Sequence, residues 1–394
     1  MYQSHVLKLR IGEGAPLSPI LIFLALNSEP VQKQIRSVQF TADIIDTIGQ
    51  RFFELALPIP IDTKKQRNLI DRAQRALIAR ARGRAFIKHA PKMMEICLET
   101  GRPDEINRFV SLKDEEMAKE VSNETISSEL GEFTAFWHES DQIRESVYLP
   151  KLYDVKIEDE LEKLKQNCEL VKFADLRNSK KIEYYTGVEI GKMAYDTGSI
   201  PFLRTSDFAN WEIYHNPKQG VSQEIYDEYA EAQDVQENDI LLVRDGTYLV
   251  GSSCIVTRAD TKALFCGGLY KIRVKRDPII DPFLFLGLIN SYIVKRQFRA
   301  RQFTRDVIDT LGNRIDDVLV PIPKRADLRK AISDAVRETV STRIAARDEV
   351  RRLCDQLSRR SQWVEIWVRW FSVSLKKKWK QDIVGSIGLR PWHH

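Results

Sequence analysis

The amino-acid sequence predicts an α+β protein in which a mixed-sheet domain is flanked by long helices. Three observations carry this. One 42-residue unit occurs twice, at positions 19–60 and 282–323. Each occurrence is followed by a charged stretch with an apolar stripe at helical spacing. Between them, positions 171–280 hold short apolar runs bounded by Gly, Asp and Asn, the pattern of strands and turns.

The two copies align without a gap at an offset of 263, with 19 identities in 42 positions. The matches include Asn27 with Asn290, Gln39-Phe40-Thr41 with Gln302-Phe303-Thr304, Asp46 with Asp309, Gly49 with Gly312, and Pro58-Ile59-Pro60 with Pro321-Ile322-Pro323. Shared amphipathic composition does not give two runs of three identical residues in one register, so the unit is a duplication. Ser18-Pro19 and Asp281-Pro282 each supply an N-cap and a first-turn proline, which starts a helix. Asn27-Ser28 and Asn290-Ser291 interrupt it, and a second, basic helical stretch follows. The string T-x-D-[IV]-I-D-T then leads to a Gly turn and a short apolar strand ending in P-I-P. Next comes a long helix, with Leu69, Ala73, Ala76, Ala79, Gly83 and Phe86 on one face after the first copy. After the second copy the stripe is Leu328, Ile332, Val336, Val340 and Ile344. With Arg and Lys on the other face, the two helices are suited to an antiparallel coiled coil. The alternative is that each packs on its own globular unit.

The copies are unequal in context. The second follows about 120 strand-rich residues, Leu149 to Tyr270, and the first follows only 18. The match extends to Lys8 and Arg10 opposite Lys271 and Arg273, so the chain is read as beginning inside a domain, with a bare sheet edge at residues 1–18. Positions 101–170 carry a net charge of −9 and read as two or three polar helices. VKFADL, SIPFLRTSDF, NDILLVRDGTYLVGSSCIVT and ALFCGGLYKIRV read as strands. The tail from Gln362 holds five of the seven tryptophans and the run Lys376-Lys377-Lys378; its WVEIWVRWF string would make an aromatic amphipathic helix, read as a packing helix or an extension rather than a membrane contact.

Composition excludes several classes. Lys plus Arg number 61 against 56 Asp plus Glu, a mild +5 that permits an anionic partner without demanding one. The apolar runs Leu17–Leu26 and Ile279–Val294 are too short or too charged to span a bilayer, so no membrane role is expected. Five scattered cysteines without a C-x-x-C pair fit a reducing cytoplasm and no structural zinc. No N-P-P-Y or D-P-P-Y string is present to hold an exocyclic amine; the nearest are His215-Asn216-Pro217-Lys218 and Asp281-Pro282-Phe283. Gly246 to Ser253 has phosphate-loop spacing but no lysine before its serine. The six histidines show no ligand spacing, and Asp62 before Lys64 reads as a helix cap. The chain is therefore read as a non-enzyme, with no catalytic residue, no metal and no intrinsic cofactor.

IPFLRTSDFANW, NDILLVRDGTYLVG, LYKIRV, LINS and a P-I-P strand entering a long helix, in that order, resemble the target-recognition domain of type I restriction–modification specificity subunits. The resemblance covers about three-quarters of the chain. It divides the chain into the end of a truncated first recognition domain (1–62), a spacer helix with an acidic connector (63–124), a complete recognition domain (125–323), a second spacer helix (324–360) and a Trp/Lys-rich tail (361–394). The truncated first domain and the tail depart from the family's pattern. The resemblance implies a cytoplasmic protein that reads half of a bipartite site in double-stranded DNA, serving defence against foreign DNA. It would direct DNA methyltransferase subunits, which would carry S-adenosylmethionine, and a restriction nuclease subunit. A second copy, or a partner chain, would complete the first domain. The rival readings are the recognition portion of a split or truncated N6-adenine DNA methyltransferase, and a helical protein-interaction scaffold.

Base readout needs Arg, Asn or Gln on exposed loops, and phosphate contact needs Lys, Arg, Ser, Thr and backbone amides. The DNA-binding candidates are Arg204, Thr205, Ser206 and Asn210 in one loop region, and Arg244, Thr247 and Tyr248 in another. For each loop the alternative is a turn capped by Asp with an Arg ion pair. Lys295, Arg296, Arg299, Arg301 and Arg305 form either a phosphate-facing stripe or a solvated helix face. Tyr184 and Tyr185 are candidates for the core or for groove contacts, and are read first as core.

Overall fold

The computed structural model describes residues 9, 11, 17–38, 40–42, 45–123, 143, 150–214, 217–246, 248–305 and 308–358. The early elements are α1 (Pro19–Leu26), α2 (Glu29–Val38), β1 (Phe40–Ala42), β2 (Ile45–Thr47), α3 (Thr63–Thr100), α4 (Asp104–Ser111) and α5 (Asp114–Asn123). Then come α6 (Val155–Leu164), β3 (Cys168–Lys172), α7 (Phe173–Asn178), β4 (Ile182–Thr186), β5 (Ile200–Leu203), β6 (Phe208–Ala209), β7 (Glu212–Ile213), β8 (Gln219–Val221) and α8 (Gln223–Gln233). The last are β9 (Ile240–Val243), β10 (Ser253–Ile255), β11 (Leu264–Phe265), β12 (Leu269–Val274), α9 (Pro282–Ile289), α10 (Tyr292–Arg301), β13 (Phe303–Arg305), β14 (Ile308–Thr310), β15 (Leu319–Pro323) and α11 (Ala326–Ser358). The fold class is α+β, as the sequence predicts. No described helix is long and apolar enough to cross a membrane. Two compact units form: Met1–Arg80 with Ile344–His394, and Ala81–Arg343.

In the first unit the Ser18 hydroxyl caps α1 by accepting from Ile20 N at 3.3 Å. The Asn27 amide turns back to Phe23 O and the Ser28 hydroxyl to Ala25 O, which ends the helix. Gln34 of α2 clamps Ala56, donating to its carbonyl at 2.9 Å and accepting from its N–H at 2.8 Å. Asp62 caps α3 through Lys64 N at 2.8 Å. One core joins Leu21, Leu24 and Ala25 of α1, Ile59 before α3, Leu69 and Ala73 of α3, and Leu353, Cys354 and Leu357 of α11. Arg72 and Glu349 pair at 2.7 Å beside it. The beginning of α3 thus meets the end of α11, an antiparallel arrangement. The expected strand ending at Pro58-Ile59-Pro60 does not form. A strand exists through a partner's hydrogen bonds, and the described residues of this unit offer none there.

The second unit repeats these devices and adds sheets. The Asp281 carboxylate caps α9 through Phe283 N and Leu284 N. Gln297 clamps Leu319 by two bonds of 2.8 Å. Here the segment after the clamp is β15, paired antiparallel with β3 so that Pro321 faces Leu170. A four-stranded antiparallel sheet runs β10-β9-β12-β4. A three-stranded sheet runs β11-β5-β8, with β11 parallel to β5. α9 lies against β10 and β12 and buries every residue from Phe283 to Ile289. Gly287 permits close approach: a Cβ there would lie 3.0 Å from Ile332, 3.2 Å from Val336 and 3.3 Å from Met94.

Three expectations change. The strand read into VKFADL stops at Lys172 and Phe173–Asn178 is helical. A helix, α8, stands within the strand-rich region, capped by the Ser222 hydroxyl on Ile225 N. On α11, Arg343 is buried whereas Ile344 is only half-buried, contrary to the placement of arginines on the outer face. Steps of four rotate a stripe by about 40° each, so by position 344 the buried face has moved on to 343. The acidic segment 124–142, residues 144–149, the Trp-rich tail, Lys8 and Arg10 lie outside the described residues.

Candidate nucleic-acid interface

Two loops follow strands of different sheets and meet at a glycine. The chain leaves β5 at Arg204 and β9 at Arg244. A Cβ on Gly268 would lie 3.2 Å from Thr205 Cγ2 and 3.8 Å from Asp245 Cβ, so both loops flank that residue.

In the first loop the buried Asp207 carboxylate accepts from Arg204 N at 2.7 Å and from Lys218 N at 3.3 Å. The turn is therefore capped by aspartate, while the Arg204 side chain stays exposed with its guanidinium 5.9 Å from the Tyr195 ring. Ser206 is exposed and Thr205 half-buried. Asn210 is exposed but belongs to the turn of the β6–β7 hairpin rather than to this loop. Its neighbour Trp211 is buried edge-on against Phe86 of α3 at 6.2 Å.

The second loop is stitched down. Arg244 O accepts from Leu311 N, and Gly246 N donates to Asp309 O at 2.9 Å. The Thr310 hydroxyl reaches Asp245 Oδ1, and Gly251 sits against Phe298 of α10. Arg244 itself is engaged: Nε meets Asp245 Oδ1 at 3.1 Å, Nη1 donates to Gly267 O at 3.3 Å, and the guanidinium lies 5.9 Å from the Tyr270 ring. Of the two open roles for this arginine, the geometry favours the ion-paired turn. Tyr248 stands 94% exposed and Leu249 beside it is also exposed. Thr247 lies outside the described residues.

The basic stripe is not one surface. Arg296 pairs with Glu160 and, at 3.8 Å, with Asp154. Arg299 is exposed, Arg301 is half-buried, and Arg305 contributes backbone to β13 while its side chain lies outside the described set. Lys295 is half-buried, and its ammonium has no hydrogen-bond acceptor among the described residues. Burial, and then the charge of Arg299, push its ammonium down to about 8. Tyr184 follows its core assignment in part, donating to Asp316, while Tyr185 is 57% exposed and is corrected to the surface.

The structure also assembles a cluster that sequence spacing does not announce. His89 Nε2 lies 3.8 Å from Glu105 and 3.7 Å from Glu120. Arg108 binds both carboxylates, which holds Glu105 and Glu120 below the usual carboxylate range and supplies the positive charge that they require. Tyr195, Asp207 and Gly268 are likewise absent from the sequence candidates. Only Asp207 carried a signal there, as the cap of its turn.

No family model matches the chain, and no curated protein does. Among solved structures it is similar to the type I restriction-modification S subunit from M. genitalium, at 13% identity over 87% of this chain and 72% of that one, with a TM-score of 0.35. It is similar to the HsdS subunit from Thermoanaerobacter tengcongensis at 14% identity, over 87% and 68% of the two chains, with a TM-score of 0.31. A third similar chain comes from a structure describing complex assembly and conformational transition of the type I R-M system, at 14% identity over 87% and 71%, with a TM-score of 0.31.

Proposed function

We propose that this chain reads double-stranded DNA as the specificity module of a methyltransferase–nuclease system and performs no chemistry itself. The observation that carries this reading is the meeting of the 204–207 and 244–249 loops at Gly268, with Arg204 and Tyr248 exposed. A planar guanidinium on an exposed loop suits bidentate readout of guanine, and an exposed tyrosine suits a base edge or sugar. Lys295 and Arg299 occupy successive turns of α10 and suit phosphate. The helices α3 and α11 act as paired spacers that dock DNA methyltransferase subunits, which carry S-adenosylmethionine, with a nuclease subunit joining them. A second copy or a partner chain joins the assembly.

Fluorescence anisotropy with duplexes drawn from a random pool, across a salt series, tests the reading. Binding should weaken steeply with salt. Arg204→Ala should cost roughly 1–3 kcal/mol on selected duplexes and relax the preference, whereas Arg244→Ala should act mainly on stability. Salt-independent binding, or an unchanged preference in Arg204→Ala, would count against it.

A further inference from the structure

Buried groups connect α11 to the Arg204 loop. The Nη2 of Arg343 meets Glu212 Oε1 at 3.0 Å, and both side chains are buried. The arginine crosses α3 at Gly83, where a Cβ would lie 2.4 Å from its Cγ and 2.7 Å from its Cδ, so a larger residue would block the passage. Glu212 opens β7. The turn before it places Asn210 and Trp211 at φ 51° and 64°, two successive left-handed residues as a type I′ hairpin requires. Trp211 O accepts from Ile255 N, which fastens the hairpin to the edge of the sheet at β10. At the far end of the hairpin, Tyr214 N donates to Asp207 O at 2.8 Å. The Asp207 carboxylate in turn shapes the loop through Arg204 N and Lys218 N.

Apolar residues of similar volume often match or exceed a buried ion pair in stability. What the pair does impose is one register, because a charge displaced from its partner inside the protein is costly. We infer that Arg343 is a positioning residue for the Arg204–Asp207 loop, acting through Glu212 and the β6–β7 hairpin, so that the set of α11 governs how the loop meets its ligand. The identity of that ligand rests on the DNA reading above; the coupling itself rests on the contacts.

The test replaces the pair in the full chain with Arg343→Met and Glu212→Leu. Hydrogen exchange, thermal melting and duplex binding are then compared with the wild type. The melting temperature should stay close to wild type, while protection of the Arg204 and Tyr214 amides falls at least tenfold and that of β9 holds. Preference for a duplex that the wild type selects from a random pool should fall at least tenfold, with affinity for unselected duplex retained. Unchanged protection at Arg204 and Tyr214 overturns the inference. Should the double variant fail to fold, Glu212→Gln, which keeps the shape, must still loosen those amides, and its failure to do so overturns the inference equally. A wild-type chain that selects no duplex sinks the DNA reading alone, and exchange then decides the coupling.

Discussion

Positions 19–60 and 282–323 share hydrogen bonds as well as residues. Asn27 and Asn290 each donate to the carbonyl four residues back, both at 2.8 Å. Ser28 and Ser291 each donate to the carbonyl three back, at 2.6 and 2.7 Å. Gln34 clamps Ala56 as Gln297 clamps Leu319. Arg51 reaches Val38 O, and Arg314 reaches Arg301 O at the matching position. Burial separates them. Leu286 is fully buried, whereas its counterpart Phe23 is 39% exposed. Asn290 is buried and has a second bond to Ser253, whereas Asn27 is exposed. The second copy lies under β10 and β12 and beside β3, and the described residues of the first unit hold no such strands. The unit's polar bonds are local and travel with its sequence; burial, and even a strand, depend on what is placed against it.

The largest test of this difference is truncation at matched positions. Leu286→Ala should cost about 3 kcal/mol, since it empties a fully buried site, and Phe23→Ala under about 1 kcal/mol. Hydrogen exchange read separately in the two units measures both. Equal costs would mean that the α1 face is covered in solution.

The glutamine clamps come next. Gln297→Ala leaves both the N–H and the C=O of the half-buried Leu319 without their partner and empties the buried site of the glutamine itself, for about 2–3 kcal/mol. Gln34→Ala opens the same pair where water can replace it, for about 1 kcal/mol or less. Denaturant-dependent exchange at Leu319 and Ala56 reads the two sites, and similar losses would show that the clamp does not depend on burial.

How much was legible follows the same division. The caps at Ser18, Asp62 and Asp281 and the helix breaks at Asn27 and Asn290 are set by residues close in sequence, and the apolar runs at Ile240 and Leu269 are legible as strands although their partners are distant. The strand missing at Ile59 needed a partner that sequence periodicity does not reveal. Arg244 and Arg204 look alike as loop arginines, but the first meets Gly267 and Tyr270, more than 20 residues away, and the second stays exposed. Asn210 has the chemistry of a base reader and is exposed, but it lies in the hairpin turn whose next residues, Trp211 and Glu212, are buried, rather than in the Arg204 loop. Arg343 sat beside a legible stripe and was missed because its partner lies 131 residues away.

The smallest expected effect concerns one of the positions where the copies differ in charge. Lys295 corresponds to Gln32, whose amide donates to Leu26 O at 2.7 Å. Lys295 has no such bond, and burial together with Arg299 lowers its folded value to about 8, against an ordinary lysine value of about 10.4. Between those values the unfolded chain holds more protons than the folded one, so stability should rise with pH from about 8 to about 10; below 8 the full penalty is present. Lys295→Gln imports the first copy's residue, removes the buried ammonium, and can donate to Ile289 O in the way Gln32 donates to Leu26 O. Stability at pH 7 should rise by about 1 kcal/mol, less than the whole shift converts to because water reaches the ammonium in part, and the rise between pH 8 and 10 should vanish. Urea titrations at pH 7, 8, 9 and 10 measure this. The same variant separates two roles of Lys295. If its ammonium is kept for phosphate, the more stable protein should bind duplex less tightly, and its salt slope should shrink by about one. A gain in stability with no change in the salt slope would place Lys295 outside the interface and leave Arg299 as the phosphate contact on α10.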